Sequence, residues 1–213
     1  MNRLFASLTT AAFSIIANGQ VVLEPPAKTI KCDKAEVTCL AMAPKGDRIL
    51  VGTDKGAELR DLNTGKRVAA FPFNEDGSTA VYHCAFNENG EYVVLIGFTG
   101  KREVWEANTG KQDKMLGKHR WIPDAVRVRQ LGLKLGNSNF DRFYQQMEAK
   151  RGDITARADK DGAVVFTNKE GAAGQTLKYP ENKDQHHRAP CLFIDTWFIT
   201  GTDDGRVLFY ELR

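Results

Sequence analysis

Apolar and polar residues alternate in short runs along most of this chain, and turn residues close each run. In "VTCLAMAPKGDRILVGTDKG" (37–56) two apolar stretches flank "APKG", and "DKG" ends the second. In "VYHCAFNENGEYVVLIGFTG" (81–100) the same order returns, with "NENG" as the turn between the runs. Both copies finish alike, in "ELRDLNTGK" (58–66) and "EVWEANTGK" (103–111), so the tetrapeptide NTGK recurs at 63–66 and 108–111. A later copy, "CLFIDTWFITGTDDGRVLFYELR", covers 191–213, and a weaker one, "ADKDGAVVFTNKEG", covers 158–171. Short alternating runs joined by Gly and Asp turns predict antiparallel meanders, because tight hairpins need positive φ at the turn. A single meander of this kind has two apolar faces and must stack on further copies to bury them. A period of about 40–45 residues with roughly four strands per unit predicts the blades of a β-propeller.

The residues that carry the repeat also carry a family resemblance. The apolar strand, Pro/Gly turn, second apolar strand and Asp-Gly turn of 37–56 resemble the opening of a WD40 repeat. The Trp-Asp pair of that family has degraded counterparts in Arg60-Asp61, Trp105-Glu106 and Tyr210-Glu211. The resemblance implies an all-β, WD40-like propeller of about four blades. Expected repeats lie near 36–72, 79–117, 120–180 and 188–213 of one domain spanning 20–213. The Gly-His dipeptide common in the family is missing, with "GKH" (117–119) the nearest approach, so the polar network that braces typical blades is in doubt. The stretch "GQVVLEPPAK" (19–28) offers one strand, which is expected to complete the last blade and remove its open edge. The alternative is closure by another chain, which would make the protein a homo-oligomer.

One segment stands outside the repeat. From "AVRVRQLGLKL", which alternates as a strand does, the chain passes into "NFDRFYQQMEAKR", which predicts a helical insertion over 138–151. Residues 118–151 hold eight Lys/Arg against Asp124, Asp141 and Glu148. Such a run is either a solvated face or a docking surface. Trp121, Arg127, Arg129, Arg142, Phe143 and Tyr144 are the candidate partner-binding residues, since aromatics and arginine dominate binding hot spots. Their charge selects a protein partner with an acidic surface.

Composition changes this picture little. A hydrophobic content of 42% and a charged content of 27% are those of a globular chain. The net charge of +3 is too small to indicate nucleic acid, and no apolar run reaches the roughly 20 residues of a membrane span. The first nineteen residues carry Arg3, no acid and a mildly apolar stretch from Leu4 to Ala17, which reads as an export signal to the periplasm or the outside. The alternative is an ordinary N-terminal extension of a cytoplasmic protein.

Cys39, Cys84 and Cys191 fall on the first strand of their copies and are expected in the core, while Cys32 lies just outside the repeat. No G-x-S-x-G, H-E-x-x-H or phosphate-binding glycine loop occurs, and no cofactor is expected. The pair His186-His187, with Glu181 and Asp184 nearby, is a weak metal candidate. The leading expectation is a non-catalytic protein-interaction scaffold. A second reading takes "DLNTGK" as similar to the repeat end of quinoprotein propellers, which implies a quinone and calcium. A non-catalytic, exported assembly factor of that shape is related to it. A third reading is a piece of a longer propeller protein.

Overall fold

The computed structural model describes residues 20–98, 100–114, 146–159, 162–178 and 190–213. Its regular elements are antiparallel strands in four sheets. The first blade contains β2 (Val37–Met42), β3 (Arg48–Thr53), β4 (Gly56–Asp61) and β5 (Arg67–Phe71), hydrogen-bonded in that order. The second contains β6 (His83–Phe86), β7 (Tyr92–Ile96) and β8 (Arg102–Glu106). Beyond β8 the chain begins a further rung: Gln112 bridges Trp105, and the Asp113 N–H donates to the Val104 carbonyl at 2.8 Å.

The third blade is β9 (Glu148–Arg151), β10 (Ile154–Ala158), β11 (Val164–Thr167) and β12 (Ala173–Leu177). The last is β13 (Cys191–Ile194), β14 (Trp197–Gly201) and β15 (Arg206–Glu211), completed by β1 (Lys28–Lys31) from the other end of the chain. β1 runs antiparallel to β15, with Lys28 opposite Phe209 and Lys31 opposite Arg206. Upstream, Val22 bridges Leu212, and the Leu23 N–H donates to the Glu211 carbonyl at 2.9 Å. The N-terminal segment therefore does complete the last blade. The main pairing, however, falls at Lys28–Lys31, after the Pro25-Pro26 break, and not on the Val21–Leu23 run before it. Two prolines supply no N–H to a ladder, which interrupts the pairing between these stretches.

The repeated sequence produces repeated geometry. In the first blade the Asp61 carboxylate accepts hydrogen bonds from the Thr64 N–H at 2.7 Å and the Thr64 hydroxyl at 2.8 Å. In the second, the Glu106 carboxylate accepts from the Thr109 hydroxyl at 2.7 Å. Both turns end in a left-handed glycine, Gly65 at φ 68° and Gly110 at φ 67°. The glycine N–H returns to the Asp61 carbonyl in one copy and to the Glu106 carbonyl in the other. The NTGK tetrapeptide is thus one turn used twice, and only glycine adopts its last conformation without strain.

Buried apolar clusters fill the seams between blades. Cys39, Leu50, Leu59 and Phe71 of the first blade pack with Cys84, Leu95 and Trp105 of the second. Phe166 and Leu177 of the third join Phe198, Leu208 and Tyr210 of the last. Ile30, Val207 and Phe209 of the last blade close on Val37, Leu40 and Ile49 of the first. Each buried side chain of this size contributes roughly 1.5–3 kcal/mol, and together they hold sheets that share no backbone ladder.

The helical insertion expected over 138–151 falls mostly outside the described residues. Its last four residues are strand β9, which corrects that part of the expectation. Glu-Ala-Lys-Arg favours a helix locally, but Gly152, at φ 58°, turns the chain back so that Arg151 pairs with Ile154 and Glu148 with Arg157. Sheet pairing overrides the local preference. The RGD tripeptide at 151–153 is this hairpin turn.

Candidate functional site

A cavity of about 500 Å³ lies along the innermost strands β2 and β6. Leu40, Met42 and Phe86 give it apolar walls, and His83, Asn87 and Gln146 supply polar groups. Alternation on β2 sends Cys39 and Ala41 toward the second blade and Leu40 and Met42 toward the last, while the free edge of the strand takes the Gln146 amide.

Gln146 has a role that sequence reasoning missed. Its side-chain amide accepts from the Leu40 N–H at 2.8 Å and donates to the Leu40 carbonyl at 2.7 Å, so it copies a strand partner on β2. Its own carbonyl accepts from the Cys191 N–H at 2.6 Å. One residue therefore ties the start of the third blade to the inner strands of the first and the last. Gln175 on β12 does the same for the N-terminal segment, accepting from the N–H groups of Val21 and Val22 at 2.8 and 2.9 Å. Its amide nitrogen donates to the Val22 carbonyl at 3.1 Å and to Glu24 at 2.9 Å. A glutamine in a polar stretch carries no periodic signal, so neither clamp is legible in the sequence.

The degraded Trp-Asp positions occupy equivalent places at the ends of β4, β8 and β15. There Asp61 faces Arg48, Glu106 faces Tyr92 and Glu211 faces Trp197. Trp105 braces the second blade against the first, its ring 6.0 Å from that of Phe71 and edge-on to it. In the first blade Arg60 replaces the aromatic and forms a fork with Glu58, Nε to Oε1 and Nη2 to Oε2, both at 2.8 Å. Arg67 stands 3.9 Å from the same carboxylate and 2.9 Å from Asp33. The Cys32 thiol also hydrogen-bonds Glu58; burial first, and this carboxylate second, raise its pKa. A polar brace is therefore present in the first blade, in ionic form.

Among the described residues, no group of three or more His, Cys, Asp or Glu side chains is arranged to hold a metal ion. No helix among them is long and apolar enough to cross a membrane. Burial, acting against the charged form, raises the Glu103 carboxyl, while Lys101 at 3.7 Å opposes that shift. Cys39, Cys84 and Cys191 are buried on the first strands of their blades, as their positions in the repeat imply.

The six candidate docking residues, Trp121, Arg127, Arg129, Arg142, Phe143 and Tyr144, lie outside the described residues, as do His186 and His187. From the basic run, Lys150 and Arg151 are described. Lys150 pairs with Glu148 at 3.3 Å, and Arg151 donates to the Asp195 carbonyl. Both are engaged within the third and last blades.

Successive antiparallel meanders, a shared turn at matching places and a last sheet completed from the N-terminus give the chain an all-β propeller fold that resembles WD40 propellers. No protein-family model matches the chain. It is similar to autophagy-related protein 18 of Saccharomyces cerevisiae, strains YJM789 and ATCC 204508 / S288c. The identity is 31% over 91 residues, which is 39% of this chain and 18% of that protein. Among solved structures it is similar to U3-55K, at a TM-score of 0.39 and 16% identity, covering 87% of this chain and 56% of that one. For the RRP9 WD40 repeats the TM-score is 0.40 and the identity 16%, with 90% of this chain and 56% of that one covered. The chain spans a small part of the curated relative's length and about half of the solved chains.

Proposed function

We propose that this chain is a non-catalytic protein-interaction scaffold whose basic, aromatic stretch between the second and third blades docks a partner with an acidic surface. The observation that carries this reading is the placement of Gln146. It fixes the C-terminal boundary of that stretch on β2, beside the cavity along the inner strands. Insertions between repeats of a solenoid or propeller collect on one face, and a rigid blade framework presents them at low entropic cost. Lys150 and Arg151 already have partners in the third and last blades, so docking falls to Trp121, Arg127, Arg129, Arg142, Phe143 and Tyr144. In the same reading residues 1–19 direct export.

The test is capture from the native source with the chain tagged at its C-terminus, beside a bait carrying Arg127→Glu, Arg129→Glu and Arg142→Glu. The scaffold reading expects an acidic protein retained by the native bait, lost with the charge reversal and released by raised salt. Equal retention by both baits contradicts the assigned surface. Retention of no specific protein by either contradicts the scaffold reading.

A further inference from the structure

Where two blades lie side by side, opposite faces of consecutive repeats meet. β2 and β6 meet through Cys39 and Cys84, each 1% exposed and part of one apolar cluster. After burial, Cys39 is the neighbouring side chain that acts on the Cys84 thiol. Cys39 Sγ also lies 3.8 Å from the carbonyl oxygen of Val81, just before β6, and Cys84 Sγ lies 3.9 Å from that of Leu50 in the first blade. Each sulfur therefore sits among the other blade's backbone. Gly52 makes room for this, since a Cβ there would come to 2.2 Å from Cys39 Sγ. All four cysteines are free. A core needs no matched sulfurs at such a seam; alanine or valine fills the same space.

We propose that Cys39 and Cys84 form an oxidisable dithiol that closes into a disulfide between the first and second blades when a peroxide reaches it. One sulfur, as its proton leaves, attacks a peroxide oxygen and breaks the O–O bond. It becomes a sulfenic acid, and the other oxygen leaves as hydroxide, which takes the released proton to form water. The second sulfur then attacks the sulfenic sulfur. The S–S bond forms, and the hydroxyl leaves with the second thiol's proton as another water. The two thiols together lose two electrons, and one peroxide is reduced to two waters. Burial raises the Cys84 pKa and keeps that thiol protonated at neutral pH, so the reaction is slow and follows local opening of the seam. The bond would close a loop of about 45 residues and restrict the unfolded chain.

The full chain is treated with hydrogen peroxide, its remaining thiols are blocked with N-ethylmaleimide in denaturant, and an unreduced digest is mapped by mass spectrometry. The expected result is a peptide pair joining Cys39 to Cys84, with both thiols protected together. The melting midpoint should rise by roughly 5–10 °C, reversed by dithiothreitol. A chain with Cys84→Ala, or one with Cys39→Ala, should show no such rise. The proposal is overturned if Cys39 and Cys84 stay free while Cys32 oxidises, or if the disulfide joins any other pair.

Discussion

Replacing Arg60 by leucine removes one half of a buried ion pair and leaves the other half in place. The side chains of Arg60 and Glu58 are 10% and 9% exposed, and two parallel hydrogen bonds of 2.8 Å join them. Losing one partner of such a pair typically costs about 3–5 kcal/mol, because the remaining charge stays desolvated. Here Arg67 remains 3.9 Å from the Glu58 carboxylate, and the Cys32 thiol still donates to it, so the lower end applies. The expected cost of Arg60→Leu is therefore about 3 kcal/mol, or a fall in melting midpoint of roughly 6–12 °C for a chain of this size. The double variant Glu58→Leu/Arg60→Leu removes both charges and replaces them with apolar volume, and it should recover most of that loss. Urea unfolding of wild type, both single variants and the double completes the cycle, with the unfolding slope as a check on the denatured state. The reasoning fails if Arg60→Leu costs under about 1 kcal/mol, which would place the pair among solvated surface bridges. It also fails if the double variant loses as much as the two singles added together.

Two further predictions concern the seams and a buried carboxyl. Gly201 on β14 faces Val37, where an added Cβ would stand 2.7 Å from the Val37 Cβ and 3.1 Å from Pro190. Gly201→Ala should cost about 1–3 kcal/mol by overpacking, and a thermal melt indistinguishable from wild type would refute the close approach. Glu103 has its folded pKa raised above the usual 4.5, so the folded state binds its proton more tightly than the unfolded chain. Its contribution is therefore fully present below that value and is lost as pH rises through the folded pKa. Glu103→Gln should flatten the fall in melting midpoint above pH 4.5; parallel wild-type and variant profiles would remove burial as the cause.

The periodic parts of this molecule were legible in its sequence because they rest on backbone rules. NTGK announces its own turn, since a short side-chain oxygen, a hydroxyl and a glycine suffice to build it. Completion of the last blade from the N-terminus was legible for a similar reason: an unpaired edge demands a strand. The register was not. Lys-Thr-Ile-Lys has one core residue, Ile30, and shows little alternation, whereas Val-Val-Leu upstream looks more strand-like. Glu148–Arg151 was hidden by helix-favouring residues whose strand state depends on the hairpin with Ile154–Ala158. The glutamine clamps depend on contacts between residues far apart in the chain, which no local pattern encodes. The Glu58–Arg60 fork joins residues two apart on β4, and that spacing on one strand face is the signal that could have found it. The candidate docking residues were legible as a charge and aromatic excess, a compositional signal that assigns no partner to any single side chain.

The central claim is one propeller whose last blade is completed by the N-terminal segment, and truncation tests it most directly. Amide hydrogen exchange is followed in the full chain and in a chain lacking residues 1–31. The missing segment takes with it Val22 and Ile30, 0% and 2% exposed, and the ladder along β15. The account predicts that protection collapses across Arg206–Glu211, weakens in Trp197–Gly201 and persists in the first blade's inner strands. Unchanged protection across Arg206–Glu211 in the shortened chain would contradict it.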